Sequence, residues 1–181
     1  MRAVNLGIIG LGHWVREAYV PILKEFPKAN VIAVAARSDS SRAYAREEFG
    51  SDLVTYERYA DLLADPAVEA VMIALPNAMH AEAVTAAVAA GKHIFFEPPL
   101  GLNHQEISSA LQAMTASSQV IQIDHEVRYV PVLKTVRDKI EAGVLGDLHT
   151  ARVRLWADWG YGGGPWLDEV EGQGFWLWLG C

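Results

Sequence analysis

The 181-residue chain has a single cysteine, Cys181, at its last position. One thiol closes no internal disulfide and builds no cysteine-based metal cluster, so the fold has to rest on a packed core, and the composition suits a reducing compartment such as the cytoplasm. Basic stretches are missing as well. With 15 Lys+Arg against 22 Asp+Glu and a formal net charge of -7, the chain lacks the positive face that a phosphate backbone requires, which argues against a nucleic-acid partner. No apolar run has the length of a membrane span, so no membrane partner is expected either. Arg2 and the apolar residues after it imitate the start of a signal peptide, but Gly10, Gly12 and His13-Trp14-Val15-Arg16 interrupt the run before any small-residue cleavage site. His80, His93 and His104 are scattered over separate elements and His149 lies further on, so no metal site is expected. Internal repeats and low-complexity segments are absent.

What is present is an ordinary globular composition, 51% hydrophobic and 20% charged, organised around Leu6 to Arg16. The apolar residues Val4, Leu6, Ile8 and Ile9 end at Gly10-Leu11-Gly12, and Trp14, Val15, Ala18 and Tyr19 then follow at helical spacing. A buried strand turning sharply into a helix is where a phosphate-binding turn forms. Gly10 supplies the tight turn, and Gly12, having no Cβ, lets the backbone approach a pyrophosphate at the positive end of the helix. The third position of the G-x-G-x-x-G/A pattern is Val15, and a plain glycine turn is the other reading.

The spacing predicts a helix over 13–26 with Pro21 as a kink and Pro27 as its stop. A continuous apolar strand follows over 31–36. Asp39 or Ser40 is expected to cap a helix over 42–49, with Gly50 in the left-handed position at its end. Then come a short strand at 53–56, a helical turn or two at 59–63, a third apolar strand at 70–75 ending at Pro76-Asn77, and an alanine-rich helix over 78–90 closed by Gly91. A strand at 92–97 stops at Pro98-Pro99, a helix opens at Asn103 or His104 and runs to 116, a strand covers 120–124, and a helix covers 130–142 with Gly143 at its end. Strands and helices that alternate over short connections indicate an α/β fold, a Rossmann-like doubly wound parallel sheet. In such sheets ligands bind beyond the carboxyl ends of the strands, here residues 10–12, 36–38, 76–77 and 97–100.

After Gly146 the pattern changes. Residues 148–156 alternate as a half-buried antiparallel strand would, and five of the six tryptophans lie from Trp156 onward, beyond which a glycine-rich loop (160–164) precedes an apolar end. One strand cannot bury that much aromatic surface alone. The expectation is a first domain over 1–124 and, over 125–181, the beginning of an incomplete α+β domain whose open face belongs against more chain or another subunit.

The ordered set Gly10-Leu11-Gly12, Ala74-Leu-Pro-Asn77 with His80 and Ala81, Ala90-Gly-Lys-His-Ile94, Glu97-x-Pro99-Leu100, Arg128-Tyr-x-Pro131 and Ile140-x-x-Gly-x-x-Gly146 resembles the Gfo/Idh/MocA family of NAD(P)-dependent oxidoreductases. The resemblance implies hydride transfer between a nicotinamide dinucleotide and a sugar, polyol or related small carbonyl or alcohol, and a homo-oligomer formed through the antiparallel sheet of a second domain. Two departures bear on the chemistry. The lysine of the family's Glu-Lys-Pro motif is replaced by Pro98, and Leu179-Gly180-Cys181 resembles the residues just before the family's catalytic histidine. No catalytic residue is therefore assigned, and a dinucleotide-binding protein of the same fold without turnover is the alternative. A methyltransferase is disfavoured because it wants an acidic residue at the second strand end, where Ala36-Arg37 stands.

The cofactor is expected to meet Gly10, Leu11, Gly12, His13 and Trp14 at the turn, Leu75, Pro76 and Asn77 after the third apolar strand, and His80, Glu97 and Pro98. NAD-specific sites place a carboxylate at the end of the second strand; here Arg37 and Ser38 stand there and favour NADP, with NAD possible. The plain alternative is a solvated Arg37 and a helix-entry Ser38. Asn77 reads equally as a helix cap or as a neighbour of the nicotinamide ribose. His80 either packs under the cofactor loop or takes part in chemistry, and Glu97 either holds the pocket or ends its strand in solvent. His125 and Arg128 are expected at the small-molecule substrate, with Arg128 alternatively pinning the following helix through an ion pair.

Overall fold

The structure, a computed structural model, describes residues 2–152 and 154. Its strands are β1 (Val4–Ile9), β2 (Ala29–Ala35), β3 (Val54–Tyr56), β4 (Ala70–Ile73), β5 (His93–Phe96) and β6 (Ile121–Ile123). They form one sheet in the order β3-β2-β1-β4-β5-β6, and every neighbouring pair is parallel. The chain winds outward from β1 to β3 and then crosses back to β4 on the other side of β1. The tips of β1 and β4 are thus the switch point of the sheet, the place where ligands of such sheets bind.

The helices are α1 (Val20–Glu25), α2 (Asp39–Phe49), α3 (Tyr59–Ala64), α4 (His80–Ala89), α5 (His104–Thr115) and α6 (Pro131–Glu141), with 3-10 turns at Asn77–Met79 and Glu126–Tyr129. Alternation along the strands feeds two apolar layers. Ile8, Val34 and Met72 point to the side of Val15, Val20 and Ala45, covered by α1 and α2. Ile9, Ala35, Ile73 and Phe96 point to the side of Leu62, Val84 and Ala87, covered by α3 and α4. Each large side chain buried in this way contributes roughly 1.5–3 kcal/mol. Alanine at positions 83 and 87 lets α4 lie close on the sheet, and both residues are fully buried.

Several details differ from the sequence expectation. Instead of a kink at Pro21, a π-helical turn over Val15–Tyr19 precedes α1, and the Val20 N–H reaches back five residues to the Val15 carbonyl. Proline donates no hydrogen bond and its ring crowds the carbonyl four residues back, and a widened turn just before it accommodates both effects. The cap of α2 is Ser38, whose hydroxyl accepts from the Ser41 N–H at 3.2 Å, not Asp39 or Ser40. A run of four capping residue types, 38–41, left the choice open to sequence, and the extended backbone at Ser38 decides it. Gly50 has φ +108° and ψ 156°, a positive φ but not the left-handed helical conformation expected there. Strands β4, β5 and β6 stop two, one and one residues short of the expected ends at 75, 97 and 124.

The α6 helix packs mainly on the preceding 3-10 turn and exposes Val132, Val136 and Ile140 along one stripe. Residues 148–152 form no strand, contrary to expectation. A strand needs a neighbour to complete its hydrogen-bond ladder, and no described residue supplies one there. The remainder of the expected strand, the glycine-rich loop and the tryptophan-rich end lie outside the described residues. Among the described residues no helix is long and apolar enough to cross a membrane.

Candidate functional site

The carboxyl ends of the strands are tied to one another by backbone bonds. Gly10 N–H donates to the Ala35 carbonyl (3.0 Å), Ala74 to Ile9 (2.9 Å), Ala36 to Tyr56 (3.0 Å), Glu97 to Ile73 (3.0 Å) and Asp124 to Phe96 (2.8 Å). These bonds bring residues 10, 36, 74, 97 and 124 to one edge, so the turns expected to bind ligand share a single crest. Gly10 has φ +92°, and a Cβ there would lie 2.2 Å from the Ala74 carbonyl oxygen. Only glycine fits. At Gly12 the space is open, since a Cβ would meet nothing within 4 Å. Among the described residues the N–H groups of Leu11 and Gly12 have no backbone acceptor. An exposed, side-chain-free backbone with unspent donors at a helix entrance fits a diphosphate. The third position of the glycine pattern, Val15, is fully buried and opens the π-helical turn.

Beyond β2, Arg37 is exposed, and its guanidinium has no partner among the described residues. The loop beneath it is held by an arginine that sequence reasoning missed. Arg42 Nη1 donates to the carbonyls of Ala36 (2.6 Å) and Arg37 (2.7 Å), and its Nη2 pairs with Asp39. Arg16, also missed, donates to the Leu11 carbonyl (3.1 Å) and to Ser41 Oγ (2.8 Å) and lies over the Tyr44 ring at 4.5 Å. It couples the glycine turn to the start of α2. Ser38 is engaged as the cap described above, with its hydroxyl also near those of Ser40 and Ser41.

After β4, Leu75 and Asn77 are half-buried and Pro76 is exposed. The cap reading of Asn77 falls away: it begins the 3-10 turn, and neither that turn nor α4 has a side-chain cap. His80 is 1% exposed, with Nε2 2.7 Å from the Leu75 carbonyl and Nδ1 2.7 Å from the Pro99 carbonyl. It therefore sits under the crest and clamps the loop after β4 to the cis Pro98-Pro99 segment after β5. Two carbonyls would be fully matched only by an imidazolium, but burial outweighs them and pushes the His80 pKa below its ordinary 6.5. The unfolded chain then binds a proton that the folded chain refuses, so stability is lost as pH falls through about 6.5. Urea unfolding between about pH 7 and 5 should show a fall in midpoint that is smaller in His80→Gln, and an equal fall in both proteins would refute this assignment.

Glu97 is the centre of a longer-range arrangement. Its Oε1 accepts from Trp14 Nε1 at 3.2 Å and from the Tyr19 hydroxyl, which also contacts Asp124 Oδ2. Tyr19 stands edge-on between Trp14 (6.4 Å) and Phe95 (5.9 Å). Burial and the nearby Asp124 and Glu126 charges push the Glu97 pKa up against these hydrogen bonds, and burial together with the two carboxyls pushes the Tyr19 pKa far up. Sequence reasoning read Tyr19 as a helix face residue and Asp124 as a strand end. Adjacency of β5 and β6 was the only available signal that residues 97 and 124 would meet. Pro98 is half-buried and brings no polar side-chain group. His13 is exposed, with Nε2 3.2 Å from Glu17 Oε2. His125 and Arg128 are exposed around the last 3-10 turn, and Arg128 forms none of the salt bridges among the described residues, so the ion-pair reading is not seen.

The fold agrees with that of known relatives of the chain. A family model described as an oxidoreductase family with an NAD-binding Rossmann fold matches residues 4–125. An uncharacterized oxidoreductase of Rhizobium meliloti is 34% identical over 149 residues, covering 82% of this chain and 44% of the relative. The mouse trans-1,2-dihydrobenzene-1,2-diol dehydrogenase is 30% identical over 180 residues, covering 92% and 53%. The chain spans about half the length of the curated relatives it matches. Among solved structures, apo scyllo-inositol dehydrogenase from Lactobacillus casei superposes with a TM-score of 0.76 at 23% identity over 81% of this chain and 44% of that one, a likeness of fold. KijD10, a 3-ketoreductase from Actinomadura kijaniata in complex with NADP, gives 0.69 at 26% identity over 78% and 44%. The ordered motifs, the sheet order and these matches together place the chain in the Gfo/Idh/MocA family of oxidoreductases.

Proposed function

We propose that the chain forms the cofactor-holding part of an NADP-preferring oxidoreductase that moves a hydride to or from a sugar, polyol or related small carbonyl. The observation that carries the cofactor preference is the end of β2. Arg37 is exposed and unengaged there, no carboxylate occupies positions 36–38, and the nearest one, Asp39, is paired with Arg42. A 2′-phosphate would pair its charge with the Arg37 guanidinium through bonds worth roughly 1.5–3 kcal/mol each, whereas a bare ribose offers Arg37 a neutral hydroxyl and no opposite charge. Gly10 to Trp14 would hold the diphosphate, and Leu75 to Asn77 with Glu97 and Pro98 would border the nicotinamide. His80 acts beneath them by fixing both loops. When bound, the dinucleotide supplies or accepts the hydride, and this chain's residues orient it and keep the crest in register. His125 and Arg128, exposed just past β6, are the residues proposed to meet a small-molecule substrate. The residues after 124 would belong to a second domain through which copies of the protein associate.

Titration with NADPH and NADH, followed by tryptophan quenching, tests the reading. Arg37→Ala should weaken NADPH by about tenfold or more and leave NADH nearly unchanged. Equal loss for both would make Arg37 structural, and no binding of either at millimolar concentration would refute the function. Pro98 favours a second reading, a dinucleotide-binding protein without turnover, which binding of NADPH with no oxidation across a carbonyl panel would support.

A further inference from the structure

Tyr19, Glu97 and Asp124 come from three separate places, the π-helical turn, the end of β5 and the end of β6, and meet at one hydroxyl. A phenol carries one proton and donates it to one acceptor at a time. Its contact with the second carboxyl is matched only if that carboxyl carries a proton and donates it to the phenol oxygen. Among the described residues no lysine or arginine forms an ion pair with Glu97 or Asp124, and Glu126 on the next turn adds negative charge to their surroundings. We infer that Glu97 and Asp124 share a single proton through Tyr19, and that this unit exchanges the hydroxyl proton of the alcohol-to-carbonyl reaction proposed above.

The inference rests on that proposed reaction for its role and on the contacts alone for its proton count. Like-charged carboxyls brought to one hydrogen-bond bridge titrate as a pair, in two separated steps. Burial pushes the Glu97 pKa up, the Tyr19 and Trp14 hydrogen bonds oppose it, and the Asp124 and Glu126 charges add to the upward push. Trp14 donates to the same Glu97 oxygen as Tyr19, so that oxygen is fixed from two sides and cannot swing away from the crest. The shared-proton unit has one proton and one negative charge over its two carboxyls. In the oxidation direction the alcohol O–H bond breaks and its proton joins the free carboxylate, while the C–H hydride passes to the oxidised dinucleotide and the C=O bond forms. Reduction reverses each transfer. Glu97 and Asp124 hold the proton, and Tyr19 is a positioning residue. The unit lies one residue from Pro98, which has no proton to offer.

The test is a pH titration of the full chain carrying 13C-labelled carboxyl groups on Glu and Asp, read by NMR, with Tyr19→Phe and Asp124→Asn as variants and circular dichroism to verify that each folds. In the unsubstituted protein one carboxyl of the pair should titrate well above the ordinary carboxylate range. Tyr19→Phe should draw the two steps together by about one pH unit or more, the equivalent of losing a hydrogen bond to a charged group. Asp124→Asn should leave Glu97 with a single step. Coincident ordinary titration of both carboxyls, or steps unmoved by Tyr19→Phe, overturns the shared proton. NADPH binding measured on the same samples separates the two readings. Binding with ordinary titration sinks the proton unit and leaves the function standing, and a shared proton without binding sinks the function and the role assigned to the unit.

Discussion

Gly10→Ala is expected to cost about 3–5 kcal/mol of stability and to lower the melting temperature by on the order of 10 °C. Two effects add. A non-glycine residue at positive φ is disfavoured by roughly 1–2 kcal/mol, and the new Cβ would sit 2.2 Å from a main-chain oxygen that no rotamer change can move. Relief would require parting β1 from Ala74, whose N–H bonds the Ile9 carbonyl at 2.9 Å and so helps to set the crest. Gly12→Ala is the partner experiment. Its Cβ enters open space, so the unfolding midpoint should stay within a few tenths of a kcal/mol of the parent while NADPH binding weakens by about tenfold or more. The two glycines thus separate a structural demand from a ligand's demand two residues apart. Parental stability in Gly10→Ala, or parental affinity in Gly12→Ala, would contradict the assignment of that glycine.

Lys92→Met should be the other large loss, about 2–4 kcal/mol, read as a shift of the denaturant midpoint at constant slope. Lys92 is buried, 7% exposed, and its Nζ donates at 2.7 Å to the carbonyls of Asp65 and Val68. Asp65 is the C-cap of α3, where carbonyls lack intrahelical partners and the helix end is partly negative. Methionine keeps the apolar stem but leaves the Val68 carbonyl without its donor in a closed space. Arginine would retain charge but has to fit a planar fork into a site shaped for a point donor, so Lys92→Arg should recover only part of the loss. A midpoint unchanged in Lys92→Met would show that water replaces the ammonium at no cost. Cofactor binding should persist, because this lysine lies at the start of β5, away from the crest.

The fold was readable because its signals are local. Strand runs such as 70–73 and glycines at 10, 91 and 143 announce themselves within a few residues of where they act. The site was readable only in outline. The crest positions follow from parallel topology, but Tyr19 meets Glu97 and Asp124 across 78 and 105 residues, distances at which sequence patterns carry no information about side-chain contact. The π-helical turn was hidden for a different reason: shifting the bond from four residues to five leaves the apolar spacing of Val15, Tyr19 and Leu23 looking helical. Arg16 and Arg42 were passed over because a charge on a helix usually faces solvent, and only coordinates show these two turned inward onto carbonyls.

The grip of Arg42 on the chain beyond β2 has a corollary for position 37. Its contacts there are to peptide oxygens at 36 and 37 and to Asp39, none of which depends on the identity of the side chain at 37. Whatever residue drifts into that position is presented from the same anchored strut. A change of side chain at 37 therefore alters what the crest offers to a ligand and leaves in place the backbone that displays it.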